Sequence, residues 1–395
     1  MILRYNFNYY FITLLLVIIM LSLTGTEHFL VNASRGDMSY EYRSCWYECV
    51  NRNCFDHDAT SQSRQEHQEH QEHQSEVVKE GREEESFILL RFLEWTCEDN
   101  CHYDCMQNHA LSRSRKGLPT WQYHGHWPFI RLWGVEEPAS AIFSIANALP
   151  HLNQLLMVSI PSLCDRCSGS GNMNSVNIYK RSIESNSRND YVMSLWIDIF
   201  PFVGLTAWVT STLFHIKKNR YTIPMDYVSA LGLLTYYLWM TLRRVSIDLL
   251  GLPLSSSSSL PVSSSLLNFI FICFISLWIW QSHRIILGQV RFESHLQICI
   301  VLAGLQFALW LVWAYYIRSS HSRRTVILQL YFVCVALLEL FDFPPLFNHF
   351  DAHSLWHAAT VPLGFWWFYF WNDDIHLYLN DERDKTSDTK VKKSK

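Results

Sequence analysis

The sequence predicts an all-α membrane protein, with a bundle of seven transmembrane helices after an N-terminal disulfide-rich domain. Hydrophobic residues make up 49% of the 395 residues and charged residues only 17%, whereas soluble domains carry about 25% charge. The apolar residues are concentrated in long runs after about residue 137, and a polar, cysteine-bearing segment precedes them. This composition excludes a disordered, collagen-like or coiled-coil chain. A net charge of −4 gives no electrostatic reason to expect nucleic-acid binding.

The N-terminal residues 1–26 are predicted to be a secretory signal peptide. The apolar run 11–23 follows a short segment that holds Arg4, and it is shorter than an ordinary membrane span. Small residues follow the run, so cleavage is expected nearby; an uncleaved anchor is the alternative. In either case the next segment enters the secretory lumen, where Asn32 in Asn32-Ala33-Ser34 is a candidate glycosylation site.

Residues 27–135 are predicted to form a lumenal domain held by three disulfides. Six cysteines fall in two clusters, and in a secreted segment such cysteines pair, although the sequence does not choose the pairing: Cys45, Cys49, Cys54, Cys97, Cys101 and Cys105. A zinc site is the alternative, but the spacing lacks the usual CxxC knuckle. The Gln-Glu-His triplet repeated over 65–73 is interpreted as a solvated insertion without a chemical role.

Residues 136–372 are predicted to form the membrane domain. Seven apolar stretches are each about long enough to cross 30 Å of hydrocarbon as a helix: 139–160, 192–215, 226–247, 266–282, 296–317, 325–347 and 353–371. The first is the weakest because it contains Asn147, Pro150 and His151. Pro344 and Pro345 should break or kink the sixth.

The basic residues predict the orientation of these spans. With the cysteine domain in the lumen, most lysines and arginines near the spans fall on the cytosolic side, in agreement with the positive-inside rule. Residues 373–395 then form a cytosolic tail. It ends in Lys392-Lys393-Ser394-Lys395, which has the form of a dilysine retrieval signal and favours the endoplasmic reticulum or Golgi membrane.

Five polar residues at span ends are the candidate site, because ionisable groups in a membrane are costly to bury. The predicted topology puts all five at the lumenal ends of three spans: Ser211, His215, Asp226, His353 and His357. Three neutral imidazoles bind zinc well and leave a fourth position open for water. A nearby carboxylate can act as general base, and a hydroxyl can stabilise the water or an oxyanion. Two alternatives stay open: the histidines could be packing residues, and Ser211 could be a covalent nucleophile with His215 as its base.

Longer motifs surround these residues and carry a family resemblance. They occur in order along most of the chain: Cys45-x3-Cys49-x4-Cys54, Trp95-Thr-Cys97-x3-Cys101-x-Tyr103-x-Cys105, Gln122-Tyr-His-Gly-His-Trp-Pro-Phe129, Glu137-Pro-Ala-Ser140, Ser211-x3-His215, Met225-Asp226-Tyr227, Leu340-Phe-Asp-Phe-Pro-Pro-Leu-Phe347 and Asp351-Ala-His353-x3-His357. With these motifs the sequence resembles the post-GPI-attachment phospholipase, or Per-one-like, family. That family belongs to a superfamily of seven-span hydrolases that includes the alkaline ceramidases.

The resemblance implies a carboxylic ester hydrolase that acts like a phospholipase A2 on GPI lipid. It would remove the sn-2 fatty acid from the inositol phospholipid of GPI-anchored proteins in the secretory pathway. It implies zinc on His215, His353 and His357, with Asp226 and Ser211 completing the catalytic site. Two other functions remain as alternatives: a non-catalytic seven-span receptor or binding protein, and a ceramidase-like amidase.

Overall fold

The computed structural model describes residues 35–54, 95–160, 193–250, 261–340 and 343–393. Within these ranges the chain is helical, and its only β-type pairings are isolated bridges in turns. The all-α prediction is therefore confirmed for this part of the chain. The predicted signal peptide, Asn32, the Gln-Glu-His repeat and the CxxC pair at Cys164 and Cys167 lie outside the described residues.

Two short helices form the cysteine domain: α1 spans Tyr40–Asn53 and α2 spans Cys97–Arg115. Thr96 caps α2 in a capping box with Asp99, which satisfies backbone donors at the helix start. The cysteines recur about one turn apart along both helices, so each helix presents them on one face. The helices run antiparallel, and the three disulfides pair first with last: Cys45–Cys105, Cys49–Cys101 and Cys54–Cys97. In this pairing no thiolate of these six residues is left for a metal.

Seven further helices follow within the described ranges. They are α3 Pro138–Gln154, α4 Ser194–Ile216, α5 Thr222–Leu250, α6 Pro261–Ile286, α7 Phe292–Ile317, α8 Ser320–Leu340 and α9 Ala352–Lys393. A π-helical turn, Leu155–Ser159, extends α3 beyond Pro150. Among the residues that the structure describes, four segments are long and apolar enough to cross a membrane: Pro138–Ser159, Ser194–Ile216, Leu267–Ile286 and Ser294–Ile317. The protein is thus a multi-pass membrane protein, and the count of seven spans stays a prediction.

The order of helix contacts closes a ring. Helices α3, α4, α5, α7, α8 and α9 each pack against the next in that order, and α9 returns to α3. Helix α6 packs against α5. The ring brings the last helix beside the first, so that residues more than two hundred positions apart become neighbours at the same end of the bundle.

Aromatic side chains, including several of the tryptophans, fill the interior of the ring. Trp239, Trp310, Trp313 and Trp371 are fully buried in one hydrophobic cluster. Trp310 lies edge-on to Trp313, with ring centroids 5.2 Å apart. Such tilted pairs add about 0.5–1.5 kcal/mol each beyond the area they bury.

One close helix crossing explains a glycine in α4. The imidazole of His151 in α3 packs edge-on to Phe200 and Phe368 and is buried. A Cβ atom added at Gly204 would lie 2.0 Å from Cε1 of His151. The missing side chain at Gly204 therefore makes room for the imidazole between α3 and α4.

The cysteine domain contacts one end of the bundle. Asp99 Oδ2 of α2 forms an ion pair of 3.3 Å with Lys217 Nζ, which directly follows α4. The indole of Trp95 donates a hydrogen bond to the carbonyl of Gly134. The amide of Ile130 donates to the carbonyl of Asn348, which precedes α9. The disulfide helices are thus attached at the ends of α4 and α9 that carry the candidate histidines.

The opposite end of the bundle holds a buried ionic cluster that the sequence did not predict. Asp374 accepts two hydrogen bonds from Arg244, of 2.8 and 3.0 Å, and lies 3.0 Å from Nε2 of His321. The three residues join α5, α8 and α9. Asp374 follows His353 by about 31 Å along α9, which is about the thickness of the hydrocarbon layer. Helix α9 continues without a break to Lys393, past the boundary predicted at residue 372.

Candidate metal centre

The ends of two helices place the three histidines. His215 lies in the last turn of α4, which ends at Ile216. His353 and His357 lie in the first two turns of α9. Asp351 caps that helix, since its carboxylate accepts a hydrogen bond of 2.8 Å from the backbone amide of Ser354. A spacing of four puts His353 and His357 on the same helix face, toward α4.

The three imidazoles converge through the same ring nitrogen. Nε2 of His357 lies 3.0 Å from Nε2 of His215 and 3.0 Å from Nε2 of His353. His215 and His357 are buried, and His353 is half-buried. The cluster therefore has two ligands in the protein interior and one that is partly accessible to solvent.

The donor set fits a zinc ion. A ring nitrogen either donates or accepts a proton, so hydrogen bonding can satisfy only one of the two contacts that Nε2 of His357 makes. A tetrahedral zinc with bonds of about 2.0–2.1 Å places its nitrogen ligands about 3.3 Å apart. Three converging nitrogens at nearly that spacing are arranged as metal ligands.

A carboxylate holds one of these imidazoles in orientation. Oε2 of Glu137 lies 2.6 Å from Nδ1 of His215, and the other carboxylate oxygen forms an ion pair with Lys218. Two backbone hydrogen bonds place the pair: the amides of Glu136 and Glu137 donate to the carbonyls of Ile216 and His215. Metal-binding histidines usually donate a hydrogen bond from their second ring nitrogen to such a carboxylate. Glu137 keeps a proton on Nδ1, which leaves the lone pair of Nε2 for a metal.

The charge of Glu137 is maintained by its neighbours. Burial alone would raise the pKa of this carboxyl group, but Lys218 and the hydrogen bond with His215 hold the pKa well below its usual range. Glu137 is therefore ionised near neutral pH. The negative charge favours a cation bound to His215.

Ser211 lies one helical turn before His215 on α4. Its Oγ is buried and lies 3.2 Å from Oγ of Ser144 on α3. About one turn farther along α3, the side-chain amide of Asn147 donates a hydrogen bond of 2.7 Å to the backbone carbonyl of His357. Helix α3 thus fixes both Ser211 and the helical turn that carries His357.

Asp226 approaches the cluster from the first turns of α5. Its carboxylate is half-buried and lies within electrostatic range of His353, Glu137 and Lys218. The tightest group contains the three histidines, and Asp226 acts on it from a longer distance. The structure therefore brings the three histidines to one point, keeps Ser211 one helical turn from His215, and places Asp226 within electrostatic range of His353.

Three residues at this site were not singled out by sequence reasoning. Glu137 contacts His215, and Lys218 forms an ion pair with Glu137. His126, in a turn after α2, lies within electrostatic range of His215, Glu137 and Lys218. Glu137 and His126 stand in motifs quoted above, so a signal was present. A carboxylate directly before the first span is at the depth of the histidines and could have been assigned to the site on that ground.

Comparisons with known proteins identify relatives of this chain. The model of the Per1-like family matches residues 88–375. The chain is 30% identical to "GPI-specific phospholipase A2-like PGAP3" from Cricetulus griseus, over 88% of this chain and 91% of the relative. It is 30% identical to the protein of the same name from Danio rerio, over 89% of this chain and 94% of the relative.

A more distant animal relative agrees. The chain is 27% identical to "Post-GPI attachment to proteins factor 3" from Drosophila melanogaster, over 88% of this chain and 90% of the relative. No solved structure matches the chain. The family match covers the helical bundle, the second cysteine cluster and all three histidines. The chain therefore belongs to the Per1-like family, as the motifs in its sequence predicted.

Proposed function

We propose that this protein remodels GPI anchors as a zinc-dependent hydrolase that removes the sn-2 fatty acyl chain of the GPI phospholipid. The observation that carries the proposal is the convergence of Nε2 atoms from His215, His353 and His357, with Glu137 behind His215. The names of the relatives, which include GPI-specific phospholipase A2-like proteins, favour this substrate over others.

Zinc is held by His215, His353 and His357 in this proposal. A zinc ion bound by three imidazoles lowers the pKa of a water ligand to about 7 and polarises an ester carbonyl. Glu137 fixes the tautomer and orientation of His215, and Lys218 keeps that carboxylate in place.

The remaining polar side chains move the proton and stabilise charge. The carboxylate of Asp226 accepts a proton from the attacking water and returns it to the oxygen of the departing lysolipid. The hydroxyl of Ser211 donates a hydrogen bond to the oxyanion, and Ser144 holds that hydroxyl in position. A site at the helix ends suits an ester bond, since such bonds lie near the membrane surface.

The proposed topology has seven spans, with the cysteine domain in the lumen and the tail in the cytosol. It supports a site on the lumenal side, where GPI-anchored proteins are found. The protein would reside in the endoplasmic reticulum or Golgi membrane. A cleaved signal peptide and glycosylation at Asn32 belong to the same proposal.

The test is hydrolysis by purified full-length protein of a GPI-anchored substrate, followed by mass spectrometry of the lipid. We expect wild-type protein to release the sn-2 fatty acid and leave a lysolipid. The His357→Ala variant should be inactive. A matched control is His349→Ala, which removes a half-buried imidazole that precedes α9 and lies outside the ligand cluster.

Two results would contradict the proposal. One is normal lysolipid formation by His357→Ala. The other is wild-type protein that is folded and contains zinc but cleaves only an amide-linked lipid, which would indicate a ceramidase-like activity.

A further inference from the structure

The cysteine domain contains a groove that the proposed hydrolysis does not use. The cavity has a volume of about 780 Å³ and lies between the start of α1 and the second half of α2. The Cys45–Cys105 disulfide lies along it. Residues Asn108, Ser112 and Lys116 recur at four-residue spacing, so one face of α2 forms a continuous wall.

The charge of this groove is positive. Arg35, Arg113 and Lys116 line it, against one carboxylate from Glu41. Arg113 is buried and held in place, because its Nε donates a hydrogen bond of 2.9 Å to the carbonyl of Pro119. Arg35 and Lys116 are exposed at the edges. A fixed guanidinium with two flexible cations is a surface that favours phosphate.

The groove also contains an aromatic wall and several hydroxyl and amide groups. The guanidinium carbon of Arg113 lies 3.2 Å from the centroid of the Trp121 ring, which fixes both side chains. Ser39, Asn108 and Ser112 add polar groups. Sugars combine apolar C–H faces, which pack on indole rings, with hydroxyl groups that hydrogen-bond to such side chains. Polar groups placed around a shaped cavity are typical of a ligand site.

The position of the groove separates it from the histidines. The start of α2 contacts the bundle through Asp99 and Lys217, whereas the groove begins about one and a half turns farther along the helix and continues to its end. A ligand in the groove thus lies about 10–25 Å along α2 from the contact with the bundle. An extended head group could reach from one to the other, but the ester bond of a lipid could not occupy both.

We propose that this groove binds the phosphate-bearing glycan of the GPI anchor, so that the cysteine domain recognises the substrate by its head group. The inference rests on the proposed function for the identity of the substrate. Phosphate groups contact Arg35, Arg113 and Lys116, and the sugar rings pack along Trp121. The groove thereby distinguishes a GPI-anchored lipid from ordinary phospholipids that carry the same ester.

The test measures binding of a lipid-free glycan to full-length protein in detergent. The probe is the soluble phosphoglycan that is left after a phosphatidylinositol-specific phospholipase C removes diacylglycerol from a GPI-anchored protein and a protease digests the polypeptide. Each Lys116→Glu or Arg35→Glu substitution should weaken binding about tenfold, because a charge-assisted contact is lost. The matched control is Arg115→Glu, which makes the same charge change one residue away on an exposed position outside the groove.

Three further arms distinguish the sources of phosphate and the two proposals. Inorganic phosphate and vesicles of phosphatidylinositol should bind much more weakly than the phosphoglycan. The His357→Ala variant should bind it normally, since the groove does not depend on the histidines. Equal affinities of Lys116→Glu and Arg115→Glu would overturn the inference, as would equal binding of phosphoglycan and phosphatidylinositol vesicles. Glycan binding without ester hydrolysis by wild-type protein would instead contradict the proposed hydrolase.

Discussion

Substitution of Glu137 by glutamine is expected to weaken zinc binding without unfolding the protein. The glutamine has the same shape, and its carbonyl oxygen can still accept a hydrogen bond from Nδ1 of His215. What the substitution removes is the negative charge 2.6 Å from that nitrogen. The imidazole then becomes a weaker base and a weaker ligand.

The magnitude follows from the burial of the pair. Glu137 is 6% exposed and His215 1%, so solvent screens their interaction little. Loss of such a supporting carboxylate costs about 10–100-fold in metal affinity, or about 1.4–2.7 kcal/mol. A hydrogen bond to a charged group, worth about 1.5–3 kcal/mol, gives the same range independently.

Alanine at this position would test something else. Glu137→Ala leaves the ammonium group of Lys218 buried without its carboxylate. Breaking a buried ion pair in this way costs about 3–5 kcal/mol, so the variant could fail to fold. Glutamine keeps the volume of the side chain and one acceptor, so it removes less than alanine does, although its single carbonyl oxygen accepts from His215 or from Lys218 and not from both.

The assay is zinc retention by purified protein against chelators of graded strength, with metal content measured by mass spectrometry. The matched control is Glu136→Gln, since Glu136 accepts a hydrogen bond from the backbone amide of Lys218 but does not contact His215. We expect Glu137→Gln to lose zinc to a chelator that leaves wild type and Glu136→Gln loaded. Equal retention by all three proteins would refute the role assigned to Glu137.

Three more predictions concern activity, packing and pH. His353→Ala should abolish GPI lipid remodelling in cells that lack the endogenous protein while expression stays normal; full remodelling, seen by lipid mass spectrometry, would refute the site. Gly204→Ala should lower stability by about 1–3 kcal/mol, because its Cβ meets His151, whereas Gly304→Ala, with nothing within 4 Å, should unfold at the wild-type temperature or slightly above. Burial lowers the pKa of His102 from 6.5 to about 4. Between these two pH values the unfolded chain binds a proton at His102 that the folded chain does not, so the thermal unfolding temperature should fall as the pH decreases through this window. The fall should be smaller in His102→Asn.

The sequence allowed the candidate ligands to be predicted because their signal is local. His353 and His357 are four residues apart, and the order of spans determines at which end of the bundle His215 lies. These two facts bring the three histidines to one depth before any contact is known. Equal depth alone does not bring the histidines into contact. The ring of helices does so, because α9 packs beside α3, which in turn packs against α4.

Glu137 could not be assigned to His215 in the same way, because their contact depends on a non-local backbone pairing. The amide of Glu137 meets the carbonyl of His215 across 78 positions of sequence separation. Disulfide pairing had the same limit. Spacing puts the cysteines of each cluster on one face, but only the antiparallel packing of α1 and α2 decides that Cys45 meets Cys105.

The innermost disulfide has a consequence for how the chain can vary. Cys54 directly follows α1 and Cys97 begins α2, and their Cα atoms are 5.8 Å apart although 43 positions separate them. The Cys54–Cys97 disulfide therefore closes the intervening segment, which includes the Gln-Glu-His repeat, into a loop. Doubling the length of such a loop costs only about 0.6 kcal/mol. Residues can be gained or lost there over generations while the two helices, and the groove between them, keep their places.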